Sequence, residues 1–106
     1  MDFEITPQEF CLRRERREEM ILLDVRETWE RQAASIEDSV HIPMGEIPAR
    51  VQELDPEQHI VVYCHRGVRS LSVTDWLRKQ GYEEVQSLAG GIDRWSAEID
   101  AKVPRY

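Results

Sequence analysis

Residues 59–70 read HIVVYCHRGVRS. His59–Tyr63 is the strongest strand signal in the chain, β-branched and apolar through Ile60, Val61 and Val62. Such a run, with no polar residues alternating along it, is expected to be buried on both faces, as in a parallel sheet. It ends at Cys64. After Gly67 a helix is expected from about Arg69 to Gln80, with Val73, Trp76 and Leu77 at i, i+3 and i+4 and Gly81 where a terminating glycine belongs. Strand, short glycine loop and helix form one half-unit of an α/β fold.

Outward from this stretch the same alternation continues. Phe3–Ile5 is a short apolar start. Thr6-Pro7 then reads as a helix cap and first turn, with Glu9 completing a capping box, so a helix should run from about Pro7 to Arg17. Met20–Val25 is an apolar run of strand length interrupted only by Asp24. Glu27–Ala33 reads as a short helix and Val40–Ile42 as a brief strand closed by Pro43. Gly45–Leu54 carries Ile47, Val51 and Leu54 at helical spacing. Val85–Leu88 is the last strand and Gly91–Glu98 the last helix. The expected architecture is α/β, an open and mostly parallel sheet with helices on both faces. In such sheets ligands bind beyond the carboxyl ends of the strands.

A chain of 106 residues is expected to be one domain, spanning 1–106. Its charge is −7, which argues against an electrostatic grip on nucleic acid. No apolar stretch reaches membrane-span length, and MDFEITPQEF lacks the features of a secretory leader. Between Ile60 and Gln80, Arg66, Arg69, Arg78 and Lys79 face a single acid, Asp75, making a basic island of +3 in a chain otherwise at −10. Cys11 and Cys64 are read as free thiols of a reducing, cytoplasmic compartment rather than a disulfide. No Cys or His spacing suits a metal.

Chemistry is expected at Cys64, which stands where a strand hands over to a helix N-terminus. Backbone amides in such a turn, from His65 to Ser70, form an anion-binding nest to which the helix dipole adds positive charge. Arg66 and Arg69 add full charges, and Gly67 lets the backbone fold tightly. Each feature favours thiolate over thiol, so nucleophilic attack on an electrophile is expected. Cys11, between Phe10 and Leu12, is read as packing. His65 is read as a water-exposed loop residue, and Trp29, Trp76 and Trp95 as packing residues.

CHRGVRS resembles the active-site loop of rhodanese-like sulfurtransferases. The resemblance extends through ILLDVRETWE, through HIP at His41–Pro43, and through GYEEVQSLAGGIDRW, and IDAKVPRY is similar to the tail of many bacterial single-domain members. Ala34-Ser35 and Asp38-Ser39 stand where the family often has Gly-His and Gly-Ala, and Val73-Thr74 replaces a frequent alanine pair. The resemblance implies a five-stranded parallel sheet and a double displacement. Cys64 takes a sulfane sulfur from a donor such as thiosulfate, the loop His65, Arg66, Gly67, Val68, Arg69 and Ser70 holds it, and cyanide, a thiol or a sulfur-carrier protein removes it. It implies no cofactor and no metal.

Two other readings compete. Cysteine phosphatases and arsenate reductases on the same fold place five residues between cysteine and arginine. Here four separate Cys64 from Arg69, a tighter ring that suits one sulfur atom better than a phosphate. Rhodanese-like domains that only dock or regulate often lack the cysteine, which this chain keeps. Asp24 and Arg26 are read as a structural ion pair or anchor near the loop rather than as acid or base.

Overall fold

The computed structural model describes residues 1–106. Five strands form one sheet: β1 (Glu4–Ile5), β2 (Met20–Asp24), β3 (Ser39–His41), β4 (His59–Tyr63) and β5 (Val85–Leu88). Their order is β1-β5-β4-β2-β3 and every pairing is parallel. The helices are α1 (Pro7–Glu15), α2 (Thr28–Ala33), α3 (Ile47–Arg50), α4 (Val68–Lys79) and α5 (Gly91–Glu98). No helix is long and apolar enough to cross a membrane.

β4 lies at the centre, between β5 and β2, and its residues Ile60 to Tyr63 supply buried side chains to both faces. Ile60, Val62 and Cys64 point into one core with Val73 and Leu77 of α4, Ile47 of α3, Leu23 and Val85. Val61 and Tyr63 point into the other, with Phe10 of α1, Ile92 and Trp95 of α5, Leu22 and Leu88. The side-chain period of two therefore decides that the Cys64 sulfur faces α4. Cys64 itself is buried.

Local signals act at the helix ends, except that the Glu9 carboxylate meets Arg13 Nε at 3.0 Å and does not close the expected capping box on Thr6. The Thr6 hydroxyl accepts from the Glu9 amide at 3.1 Å, with Pro7 in the first turn. α4 closes on a Schellman pair, Tyr82 N–H to Leu77 C=O and Gly81 N–H to Arg78 C=O, each 3.1 Å. The segment 45–54 departs from expectation. It is not one helix but a 3-10 turn (Met44–Glu46), the single α-turn of α3, and a second 3-10 turn (Val51–Glu53). Pro48 removes a donor at one end, and Pro56 disfavours helical backbone at Asp55 on the other. Ile47 and Leu54 are still buried, so the apolar spacing served packing and not helix length.

The tryptophans divide. Trp95 is buried edge-on to Phe10, and Trp76 is half-buried against the α4-side core. Trp29 is 63% exposed, contrary to its reading as a packing residue. It sits at the start of α2, where its only ring partner is Tyr106.

Candidate active site

The turn after β4 is wrapped around the Cys64 sulfur. The Gly67 amide donates to Sγ at 3.1 Å and the Ser70 amide at 3.4 Å. The Ser70 hydroxyl lies 3.4 Å from Sγ and 2.7 Å from the hydroxyl of Ser87 on β5. Gly67 caps α4 with φ +103°, a left-handed conformation that few side chains adopt, and this reverses the chain so that its amide faces back to the sulfur. Two backbone dipoles and the start of α4 thus converge on one buried atom, an arrangement that stabilises negative charge there.

A second helix start secures the same turn from behind. The amides of Ile92 and Asp93, in the first turn of α5, donate to the carbonyls of Cys64 and His65, each at 3.0 Å. Gly91 permits the approach. A Cβ on it would stand 2.5 Å from both carbonyl oxygens.

The two loop arginines do different things. Arg66 is exposed and makes no ion pair. Arg69, expected to add a full charge to the loop, gives its two terminal guanidinium nitrogens to Glu30, at 2.6 and 2.9 Å. Those hydrogen bonds hold the Glu30 carboxyl down at about 2, against the burial that opposes its charge. His65 also differs from expectation. It is half-buried and stacked on the Tyr106 ring at 4.1 Å between centroids, with its Nε2 enclosed and unpartnered.

Asp24 and Arg26 lie outside the loop, fully buried. Asp24 accepts from the Arg26 amide, Nε and Nη2 at 3.0, 2.9 and 2.8 Å, from the Tyr63 hydroxyl at 3.0 Å and from Arg31 at 3.1 Å. Burial opposes the Asp24 charge, but the Arg26 hydrogen bonds outweigh it and hold the carboxyl below its usual range. Arg26 also donates to the carbonyls of Glu30 and Ala34 at 3.3 and 2.6 Å, and its own carbonyl meets His41 Nε2 at 2.7 Å. These bonds join β2, β3, β4 and α2, and none of them reaches Cys64. Cys11, on α1, is half-buried, its Sγ 3.8 Å from Glu15. Burial and the Glu15 charge push its thiol up.

Of the loop residues named from sequence, Gly67 and Ser70 stand against the Cys64 sulfur. Sequence reasoning missed Glu30, Ser87 and Tyr106. Glu30 lies within the quoted ILLDVRETWE, where an acid three residues after Glu27 is also a helix-capping signal. Ser87 is, with Gln86, one of two polar residues in the four of β5, and a buried hydroxyl needs a partner.

A parallel sheet delivering a buried thiol into a turn of converging amides defines an α/β domain with a cysteine-centred anion loop. The match with known proteins agrees. Residues 6–98 fit the family model described as a rhodanese-like domain, and the chain belongs to that family. YtwF of Bacillus subtilis (strain 168) is 39% identical over 85 residues, 80% of this chain and 82% of that protein. A protein of Allochromatium vinosum named sulfurtransferase is 37% identical over 79 residues, 74% of each chain. The crystal structure of a rhodanese-related protein from Thermoplasma volcanium superposes with a TM-score of 0.83 at 26% identity, over 92% of this chain and 94% of that one.

Proposed function

We propose that residues 1–106 form one catalytic domain, a sulfurtransferase that moves a sulfane sulfur from a donor such as thiosulfate to a thiophilic acceptor through a persulfide on Cys64. The observation that carries this reading is the pair of amides, Gly67 and Ser70, on the Cys64 sulfur at the end of β4. Relatives named sulfurtransferase support it.

The Cys64 thiolate attacks the outer sulfur of thiosulfate. A Cys64 Sγ–S bond forms, the S–S bond of thiosulfate breaks, and its electron pair leaves with sulfite. The amides of Val68 and Arg69, which as first-turn donors have no acceptor within the helix, are free to receive the new terminal sulfur. A nucleophilic acceptor (cyanide, a thiol or a sulfur-carrier protein) then attacks that sulfur. The Sγ–S bond breaks and the thiolate returns to its amides. Two half-reactions through one covalent intermediate give ping-pong kinetics. Nothing in the cycle calls for a metal or organic cofactor, and two free thiols suit a reducing cytoplasm.

Intact mass after incubation with thiosulfate tests this. One added sulfur atom is expected on the native protein and on Cys11→Ser, and none on Cys64→Ser. Thiosulfate-to-cyanide transfer by Cys64→Ser would overturn the mechanism. A native protein that takes up no sulfur from thiosulfate or from an organic persulfide would instead favour a docking role.

A further inference from the structure

Residues 99–106 lie outside the family match, which ends at 98, yet they return to the active-site loop. Arg105 donates to both carboxylate oxygens of Asp93 at 3.0 and 3.1 Å, and the Asp93 amide holds the His65 carbonyl. Val103 packs against the core on the α5 side, and Tyr106 follows. The Tyr106 ring lies flat on His65, the residue next to Cys64, with an interplanar angle of 14°. Its hydroxyl accepts from Arg26 Nη1 at 2.9 Å and donates to Glu30 Oε2 at 2.7 Å. Glu30 in turn grips Arg69, the second residue of α4, and the next residue, Ser70, donates its amide to the sulfur.

We infer that Tyr106 is a positioning residue for the Cys64 loop, strapping it from two sides: by its ring on His65 and by its hydroxyl through Glu30 and Arg69. Both ends of the turn between Cys64 and Ser70 are thereby tied to one side chain. The phenol is suited to this. Burial, with the Glu30 charge, pushes its hydroxyl up to about 12, so it keeps its proton as a donor across the working range. The inference rests on reading Cys64 as the sulfur-carrying thiol, because only then does loop order govern rate.

The test uses the full chain with Tyr106→Ala, which removes ring and hydroxyl, and Tyr106→Phe, which removes the hydroxyl alone. Phe fills the same space, so it keeps the test open should the Ala variant not fold. Amide hydrogen exchange is read at Gly67 and Ser70, with Val61 and Val62 of β4 as the core reference, alongside the single-turnover rate of persulfide loading from thiosulfate. Exchange at Gly67 and Ser70 is expected to accelerate about tenfold in Tyr106→Ala, and less in Tyr106→Phe, with Val61 and Val62 unmoved. Loading should slow in the same order. Wild-type exchange at the loop overturns the strap, as does equal acceleration at all four amides, which would mark a global loss of stability. Faster loop exchange with unchanged loading overturns the positioning role. No loading by the native protein defeats the sulfurtransferase reading instead, while the exchange data still answer for the strap.

Discussion

Arg66 and Arg69 stand three positions apart in one turn and meet different fates. Arg69 spends its charge on Glu30, so its loss removes the partner of a nearly buried carboxylate. Arg66 is exposed and unpaired, free to meet an anionic donor. Arg66→Ala is therefore expected to raise the KM for thiosulfate several-fold, more so at low salt, and to move Tm by no more than about 2 °C. Arg69→Ala should lower kcat and Tm together. Steady-state kinetics at two ionic strengths, with a melting curve for each variant, separate the two. An Arg66→Ala enzyme with native KM at low salt would make that residue a bystander.

At the scale of elements, two helix starts hold one turn, α4 by its amides on the sulfur and α5 by its amides on the carbonyls behind it. Gly91 is where the second hold is most exposed to change, because the atoms that an added Cβ would meet at 2.5 Å are backbone oxygens that cannot rotate aside. Gly91→Ala is expected to cost about 1–3 kcal/mol and to depress turnover as the loop is pushed out. Gly81→Ala is the control, since it shares a positive φ but faces open space. It should lose stability and keep turnover per folded molecule. Urea midpoints with kcat for both variants decide this, and equal turnover would show that the α5 contact does not set the loop. The elements that sequence made legible were those whose signal is local. β4 fell where its apolar run placed it, β5 and α5 at the expected Val85–Leu88 and Gly91–Glu98, and the α4 stop at Gly81, while the turn at Cys64 follows from the strand and helix that flank it. The unread parts are contacts between distant residues. That Glu30 would meet Arg69, that Ser87 would meet Ser70, and that Tyr106 would return to His65 depend on strand order and on where the tail lies. Local periodicity carries neither. The partner that takes up the Arg69 charge is likewise out of local reach, 39 positions away.

On the whole molecule, the end of the sheet that bears the site is braced by a largely buried charge network. Asp24 and Glu30 sit among Arg26, Arg31 and Arg69, with the hydroxyls of Tyr63 and Tyr106 between them. Such a network costs desolvation to form, and breaking one partner is more damaging than never having built it. It also sets the response to acid. Glu30 titrates near 4.5 when unfolded and at about 2 when folded. The unfolded chain therefore binds the proton first. The stabilisation is complete above about pH 4.5 and is lost as pH falls toward 2. Asp24, also held low, contributes in the same direction. The Glu30 share is on the order of 3 kcal/mol if its partner were fully shielded, and smaller because Arg69 is 33% exposed. Native protein should lose urea resistance steeply between pH 5 and pH 3 (roughly the upper half of that window). Glu30→Gln keeps an oxygen for Tyr106 and removes the titration. It should begin less stable at pH 7 and fall with a shallower slope, the remainder belonging to Asp24. The two curves should therefore converge toward pH 3. Curves that stay parallel from pH 7 to pH 3 would place the acid sensitivity elsewhere, and would mean that the Glu30–Arg69 pair forms with little difference between the folded and unfolded proton affinities.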